Sequence, residues 1–216
     1  MIPLVLLPGI RGDPAEYARL VPRLGREVVV LPLPETEEDD LAAIAARLPL
    51  PEGPIDVVGA SFGGLVAWAL PPGRVRTLVT IGTVPFRTPA ARRCGPMGLA
   101  LRFCPDRIWR EAYVPRARAA LIEDGADDSL VDRMHLPPRR VMAARLRAIA
   151  RWGLPDRPPA PATWIWGATD RFVTWDTGEV TARGMRPVVV PGGHRPHLSH
   201  PSEVARWLAA RDRPHP

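Results

Sequence analysis

The sequence contains no lysine, no asparagine and no glutamine. All 29 basic residues are therefore arginine, and three chemistries drop out: Schiff-base catalysis, pyridoxal-phosphate catalysis and P-loop nucleotide hydrolysis. The missing Asn and Lys also remove the protein-kinase signature. Cysteine is scarce: Cys94 and Cys104 are too few for a disulfide framework and read as free cytosolic thiols. Long apolar runs are missing as well, and nothing approaches the ~18–20 residues that cross a bilayer. The opening MIPLVLLPGI has no basic region before it and no small-residue cleavage site after it, so it reads as a buried strand. The expected location is cytoplasmic, with no membrane partner.

What is present describes an ordinary globular chain. The 216 residues suffice for one buried domain, with 46% hydrophobic and 24% charged residues. Pro reaches 28 and Gly 18, which together with the missing types reads as the background of a G+C-biased genome. The net charge of +6 is uneven. From Phe86 to Arg157 there are 15 Arg against 8 acidic residues, and elsewhere 14 Arg against 15 acids. Without an aromatic-basic RNA motif, zinc-ligand spacing or repeat, this charge does not indicate a nucleic-acid partner.

Consecutive apolar runs at Ile2–Leu7, Val28–Leu31, Ile55–Val58, Val75–Ile81, Thr163–Trp166 and Pro187–Val190 suit strands covered on both faces. Helical patterns separate them. Pro14–Leu24 and Glu37–Leu48 carry helix-period apolar residues, the second with Thr36 as N-cap before Glu37, Glu38, Asp39 and Asp40. Phe62–Leu70 predicts a third helix, stopped by Pro71, Pro72 and Gly73, and Glu203–Ala210 the last. Alternating strand and helix gives a doubly wound, mostly parallel α/β sheet as a single domain over 1–216. Residues 86–154 interrupt the rhythm with helical patterns at Trp109–Glu123 and Leu130–Trp152, broken by Pro137 and Pro138, and read as a helical insertion.

Gly59-Ala60-Ser61-Phe62-Gly63 lies between a strand and a helix. A bare G-x-S-x-G is weak evidence, and a tight βα turn with an incidental Ser would explain it. At a sharp strand-to-helix turn, however, the motif lifts the Ser Oγ above the sheet. A hydroxyl needs a base, and the base an acid. Asp170 and His194 follow in that chain order, each after a predicted strand, where open α/β sheets bind ligands. Pro8-Gly9-Ile10-Arg11-Gly12 follows the first strand, and the N–H groups of Ile10 and Phe62 are candidate donors to an oxyanion; a plain Gly-rich turn is the alternative.

These residues resemble the α/β-hydrolase family over essentially the whole length, particularly small capped esterases such as the carrier-protein methyl-ester esterases of biotin synthesis. The resemblance implies Ser61 as nucleophile, Asp170 as acid, His194 as base, and Ile10 and Phe62 as oxyanion donors. It also implies that residues 86–154 form a cap between the sixth and seventh strands of the fold. Pro8 stands where many relatives have His, which removes that support from the loop but not its N–H donors. The chain starts at the strand usually numbered third, so six strands are expected, the first two in swapped spatial order.

Competing assignments of single residues remain open at this point. His194, His197 and His200 are spaced three apart, but Pro196 and Pro201 argue against a helical metal site. His197 is the alternative base, Asp176 the alternative acid. Arg171 reads as a surface residue, and Trp164 and Trp166 as core. The arginines of the cap read as a solvated face, or as a steering surface for an acidic carrier protein or a carboxylate-bearing substrate; the methyl-ester esterases use basic cap residues in that way. The expected activity is cleavage of a small-molecule ester or thioester through an acyl-enzyme, with no metal or organic cofactor. The alternatives are a thioesterase or acyltransferase on carrier-bound acyl chains, a cofactor-free perhydrolase, and a non-catalytic binding module. Ser at position 61 disfavours the dehalogenases and epoxide hydrolases of this fold, which use Asp there.

Overall fold

Six parallel strands form the sheet of the computed structural model, which describes residues 2–83, 89–153, 158–173, 177–182 and 184–211. They are β1 (Leu4–Leu7), β2 (Val28–Val30), β3 (Ile55–Ala60), β4 (Val75–Ile81), β5 (Ala162–Gly167) and β6 (Met185–Val190), in the spatial order β2-β1-β3-β4-β5-β6. The first two strands are exchanged in space, as expected. Register is set by pairs such as Val5↔Val57 and Val58↔Val79.

The unbroken apolar runs are explained by the two faces. Val5, Leu7, Val57 and Leu78 point to one side, where α1 (Leu41–Ala46) and α2 (Phe62–Trp68) cover them. Leu4, Leu6, Val58, Val79 and Ile165 point to the other, against Tyr17, Leu20 and the apolar stripe of α10 (Pro201–Arg211). Trp164 and Trp166 join the first cluster. Side chains alternate along a strand, so only a sheet buried on both faces needs every position apolar.

Two local expectations are corrected. Pro14–Leu24 is not one helix but two short 3₁₀ turns, Pro14–Tyr17 and Val21–Arg23. Pro22 offers no N–H and its ring crowds the preceding turn, which disfavours one continuous α-helix across it. The helix predicted to start after Thr36 starts at Leu41, and its cap is Asp40, whose Oδ1 accepts from Ala42 N at 2.7 Å and Ala43 N at 3.2 Å. The acidic run before it turns outward instead. Asp39 accepts from Arg147 Nε at 2.8 Å and pairs with Arg151 as well.

Those arginines lie on the cap, which is helical throughout its described part between β4 and β5. It comprises α3 (Pro89–Phe103), α4 (Asp106–Ile108), a π turn at Trp109–Tyr113, α5 (Val114–Glu123), α6 (Asp128–Arg133) and α7 (Arg139–Arg151). The last helices are α8 (Thr177–Ala182) and α9 (Pro196–Ser199), ahead of α10. Helices α3 and α7 pack so closely that a Cβ on Gly98 would stand 2.8 Å from Ala143 O. Ile10 packs against both the sheet core and the cap cluster of Leu101, Trp109, Met142 and Leu146. No disulfide joins Cys94 and Cys104. Among the described residues no helix is long and apolar enough to cross a membrane.

Candidate active site

Ser61 sits between the end of β3 and the start of α2 with φ 48° and ψ −114°. It is the sole non-glycine with positive φ among the described residues, a conformation that costs on the order of 1–3 kcal/mol and persists only where its surroundings enforce it. Here Ser61 N donates to Ile81 O at 2.7 Å, and Ser61 O accepts from Gly64 N at 3.0 Å and from Thr83 Oγ1 at 3.2 Å. The turn also requires glycine at position 63. A Cβ there would stand 2.3 Å from Leu7 O and Pro8 O, so its absence lets α2 pack against the end of β1 and brings Phe62 beside the first loop.

His194 follows β6 and reaches Ser61. Its Nε2 lies 3.0 Å from Ser61 Oγ, and its Nδ1 lies 3.0 Å from Asp170 Oδ2. Asp170 follows β5 with its side chain fully enclosed. The other carboxylate oxygen accepts from Phe172 N at 2.8 Å and Val173 N at 3.1 Å, which leaves Oδ2 for the imidazole. The Phe172 ring lies 5.2 Å from the His194 ring, tilted by 58°. The structure thus brings together the Ser, Asp and His singled out in the sequence.

The first loop is supported differently from the His of many relatives. Gly9 N donates to Glu16 Oε2 at 2.7 Å, and Gly12 N closes a turn onto Gly9 O at 2.8 Å. Burial pushes the Glu16 carboxyl up. The hydrogen bond and charge of His197, the charge of Arg195 and the Gly9 N–H together outweigh it and hold Glu16 below its ordinary value of 4.5. From the cap, Arg145 reaches in with Nη1 donating to Ile10 O at 2.7 Å and Nη2 to Pro34 O at 3.0 Å. Burial lowers the Arg145 pKa to about 10. Ile10 and Phe62 keep their N–H groups without an acceptor among the described residues.

His197 is fully buried, and its Nε2 donates to Glu16 Oε1 across 3.1 Å. It therefore belongs to the loop's support and stands apart from Ser61. His200 Nδ1 is 3.0 Å from Ser199 Oγ. Asp176 lies outside the described residues. Arg171 is exposed. No group of three metal-ligating side chains gathers among the described residues.

Several residues around the site carry no signal in the sequence. Asp124, at the end of α5, accepts from His194 N at 3.1 Å and pairs with Arg195. Between Asp124, Ala120, Phe172 and His194 a cavity of about 320 Å³ opens beside the imidazole. Glu16 and Arg145 were invisible for the same reason as Asp124: each acts on a backbone group brought near only by the fold.

Residues 4–207 match the alpha/beta hydrolase family. The chain belongs to that family. Among solved structures, a hydrolase from Pseudomonas aeruginosa PA01 is similar at 20% identity and TM-score 0.72, over 97% of this chain and 89% of that one. The enol-lactonase from Burkholderia xenovorans LB400 gives 15% and 0.73, over 97% and 90%. A thermophilic esterase from Thermogutta terrifontis gives 19% and 0.64, over 98% and 89%. No curated protein matches the sequence. At these identities the solved structures establish the hydrolase fold of the chain and leave its substrate to the site itself.

Proposed function

We propose that this α/β-hydrolase is a serine esterase that cleaves carboxylic esters through an acyl-enzyme. The observation that carries the reading is the relay Ser61 Oγ–His194–Asp170, with both contacts at 3.0 Å. His194 Nε2 takes the Ser61 proton as Oγ bonds to the ester carbonyl carbon. Asp170 holds Nδ1–H and stabilises the imidazolium. The carbonyl oxygen becomes an oxyanion facing the N–H groups of Ile10 and Phe62, donors that each contribute ~3–4 kcal/mol to such a transition state. Collapse breaks the ester C–O bond, and His194 returns its proton to the departing alkoxide. Water then attacks the acyl-enzyme along the same route, with His194 as base, and releases the carboxylic acid and Ser61.

The test is intact-mass labelling with a fluorophosphonate on the wild type, Ser61→Ala and His194→Ala. A stoichiometric adduct is expected on the wild type alone, with turnover in either variant lower by about 10⁴–10⁶-fold. A folded wild-type protein that takes no adduct would turn the reading toward a binding module on the same fold. Thioesters of carrier-like acyl chains belong in the same substrate screen, since the relay would act on them identically.

A further inference from the structure

Arg11 directly follows Ile10 and is only 9% exposed. A guanidinium carries five N–H donors, and a charge so far removed from water is ordinarily paired and hydrogen-bonded. Among the described residues Arg11 has neither a hydrogen-bond acceptor nor a carboxylate within 4.0 Å. Arg145, still more deeply buried, has its nitrogens on the carbonyls of Ile10, Leu33 and Pro34. The acids nearest Arg11 are engaged elsewhere. Asp13 accepts from Ala15 N and His135 N, and Glu16 from Gly9 N and His197. No Arg11 nitrogen is among the fully enclosed polar atoms that lack a partner, so the guanidinium keeps a narrow contact with solvent.

A second donor belongs to the same neighbourhood. Tyr113 of the cap and Ile10 pack against one apolar cluster, and Tyr113 lies within electrostatic range of both Arg11 and Arg195. Its ring is fixed by stacking on Trp109, with centroids 4.1 Å apart and planes at 17°. Its hydroxyl has no hydrogen-bond partner among the described residues. Burial raises the Tyr113 pKa, which keeps the hydroxyl protonated and available to donate. Arg195 contributes no free charge here, because Asp124 holds it.

We propose that Arg11 and Tyr113 form a receptor for a carboxylate on the substrate, so that the ester cleaved is a half-ester of a dicarboxylic acid. This deepens the esterase reading and rests on it. One planar guanidinium matches one carboxylate in a two-point contact, and a single free positive charge suits a monoanion better than a phosphate dianion. Arg11 directly follows the candidate oxyanion donor Ile10 in the first loop, and that adjacency is what ties the receptor to the ester's site.

The experiment compares mono-p-nitrophenyl glutarate with p-nitrophenyl valerate, which share a five-carbon acyl chain and differ at its far end as carboxylate against methyl. In the wild type the kcat/KM ratio is expected to favour the glutarate by about 10–100-fold, the range of a charge-assisted contact. Arg11→Met is expected to abolish that preference through KM, Arg11→Lys to restore part of it, and Tyr113→Phe to reduce it. Because Arg11→Met removes an unpaired buried charge, its Tm should be equal to or above that of the wild type. Calorimetric titration of glutarate into Ser61→Ala, with and without Arg11→Met, reads the same receptor without turnover, and only the protein that keeps Arg11 should bind. A wild-type ratio near one, a preference that survives Arg11→Met, or no glutarate binding to Ser61→Ala overturns the proposal. Failure of fluorophosphonate to label Ser61 overturns the esterase reading instead, and the titration still decides Arg11.

Discussion

Gly193 shows how little room the site leaves at single positions. A Cβ there would stand 2.8 Å from Asp124 Oδ1, the atom that accepts from His194 N. Gly193→Ala should therefore displace the imidazole by a fraction of an ångström without dismantling a core. The expected result is a loss of about 10²-fold in kcat/KM with thermal unfolding close to the wild type; an unchanged rate would show that the loop absorbs the methyl group. That Ser61, Asp170 and His194 meet was legible because each follows a recognisable strand and one sits in a glycine-bounded turn. Asp124 was not legible. It lies 70 residues from the backbone N–H it binds, and in the sequence it is one acid among several at a helix end. Arg11 and Arg145 were equally indistinct in a chain whose basic residues are all arginine, since only burial separates them from surface charge.

Among elements, the cap is tied to the sheet domain by polar contacts that a hydrophobic pattern does not announce. The acidic run before α1 looked like a helix start, since carboxylates at an N-terminus favour the helix dipole. Within it, Asp39 proved to pair with Arg147 and Arg151 of α7, 108 and 112 residues away. The same helix supplies Arg145 to the carbonyls of the first loop. Arg145→Met would leave those carbonyls unpaired beneath the cap, at a cost of about 2–4 kcal/mol, or roughly 4–16 °C in Tm for a chain of this size. It should also weaken oxyanion binding, because Ile10 loses the contact that holds its carbonyl away from the site. A differential-scanning measurement beside the p-nitrophenyl valerate rate checks both. The strands were easier to read than these links, because burial on both faces leaves an uninterrupted apolar signature, whereas a 3₁₀ turn interrupted by Pro22 shares its apolar spacing with a helix.

For the molecule as a whole, part of the sensitivity to acid should come from Glu16. Its carboxyl is held below 4.5 in the folded chain, so the unfolded chain takes up the proton more readily. The stabilisation is then complete above pH 4.5 and is lost as pH falls below it. Urea unfolding between about pH 6 and pH 3 is expected to show that loss in the wild type. Glu16→Gln should start less stable and lose less over the same interval; parallel curves would assign acid sensitivity to other carboxylates.

The strand order carries a consequence for synthesis. After β1, every strand joins an existing edge of the sheet: β2 on one side, then β3, β4, β5 and β6 successively on the other. Nothing has to be threaded between strands already paired, so the sheet can grow in the order in which a ribosome, adding ~5–20 residues per second, releases the chain. Ser61 emerges 133 residues ahead of His194, and the intervening stretch builds the cap and places Asp170. A nascent chain therefore holds a finished serine turn with no imidazole beside it. On the esterase reading proposed above, Ser61 is armed only when the final edge strand docks, and a chain cut short before that strand should be chemically silent.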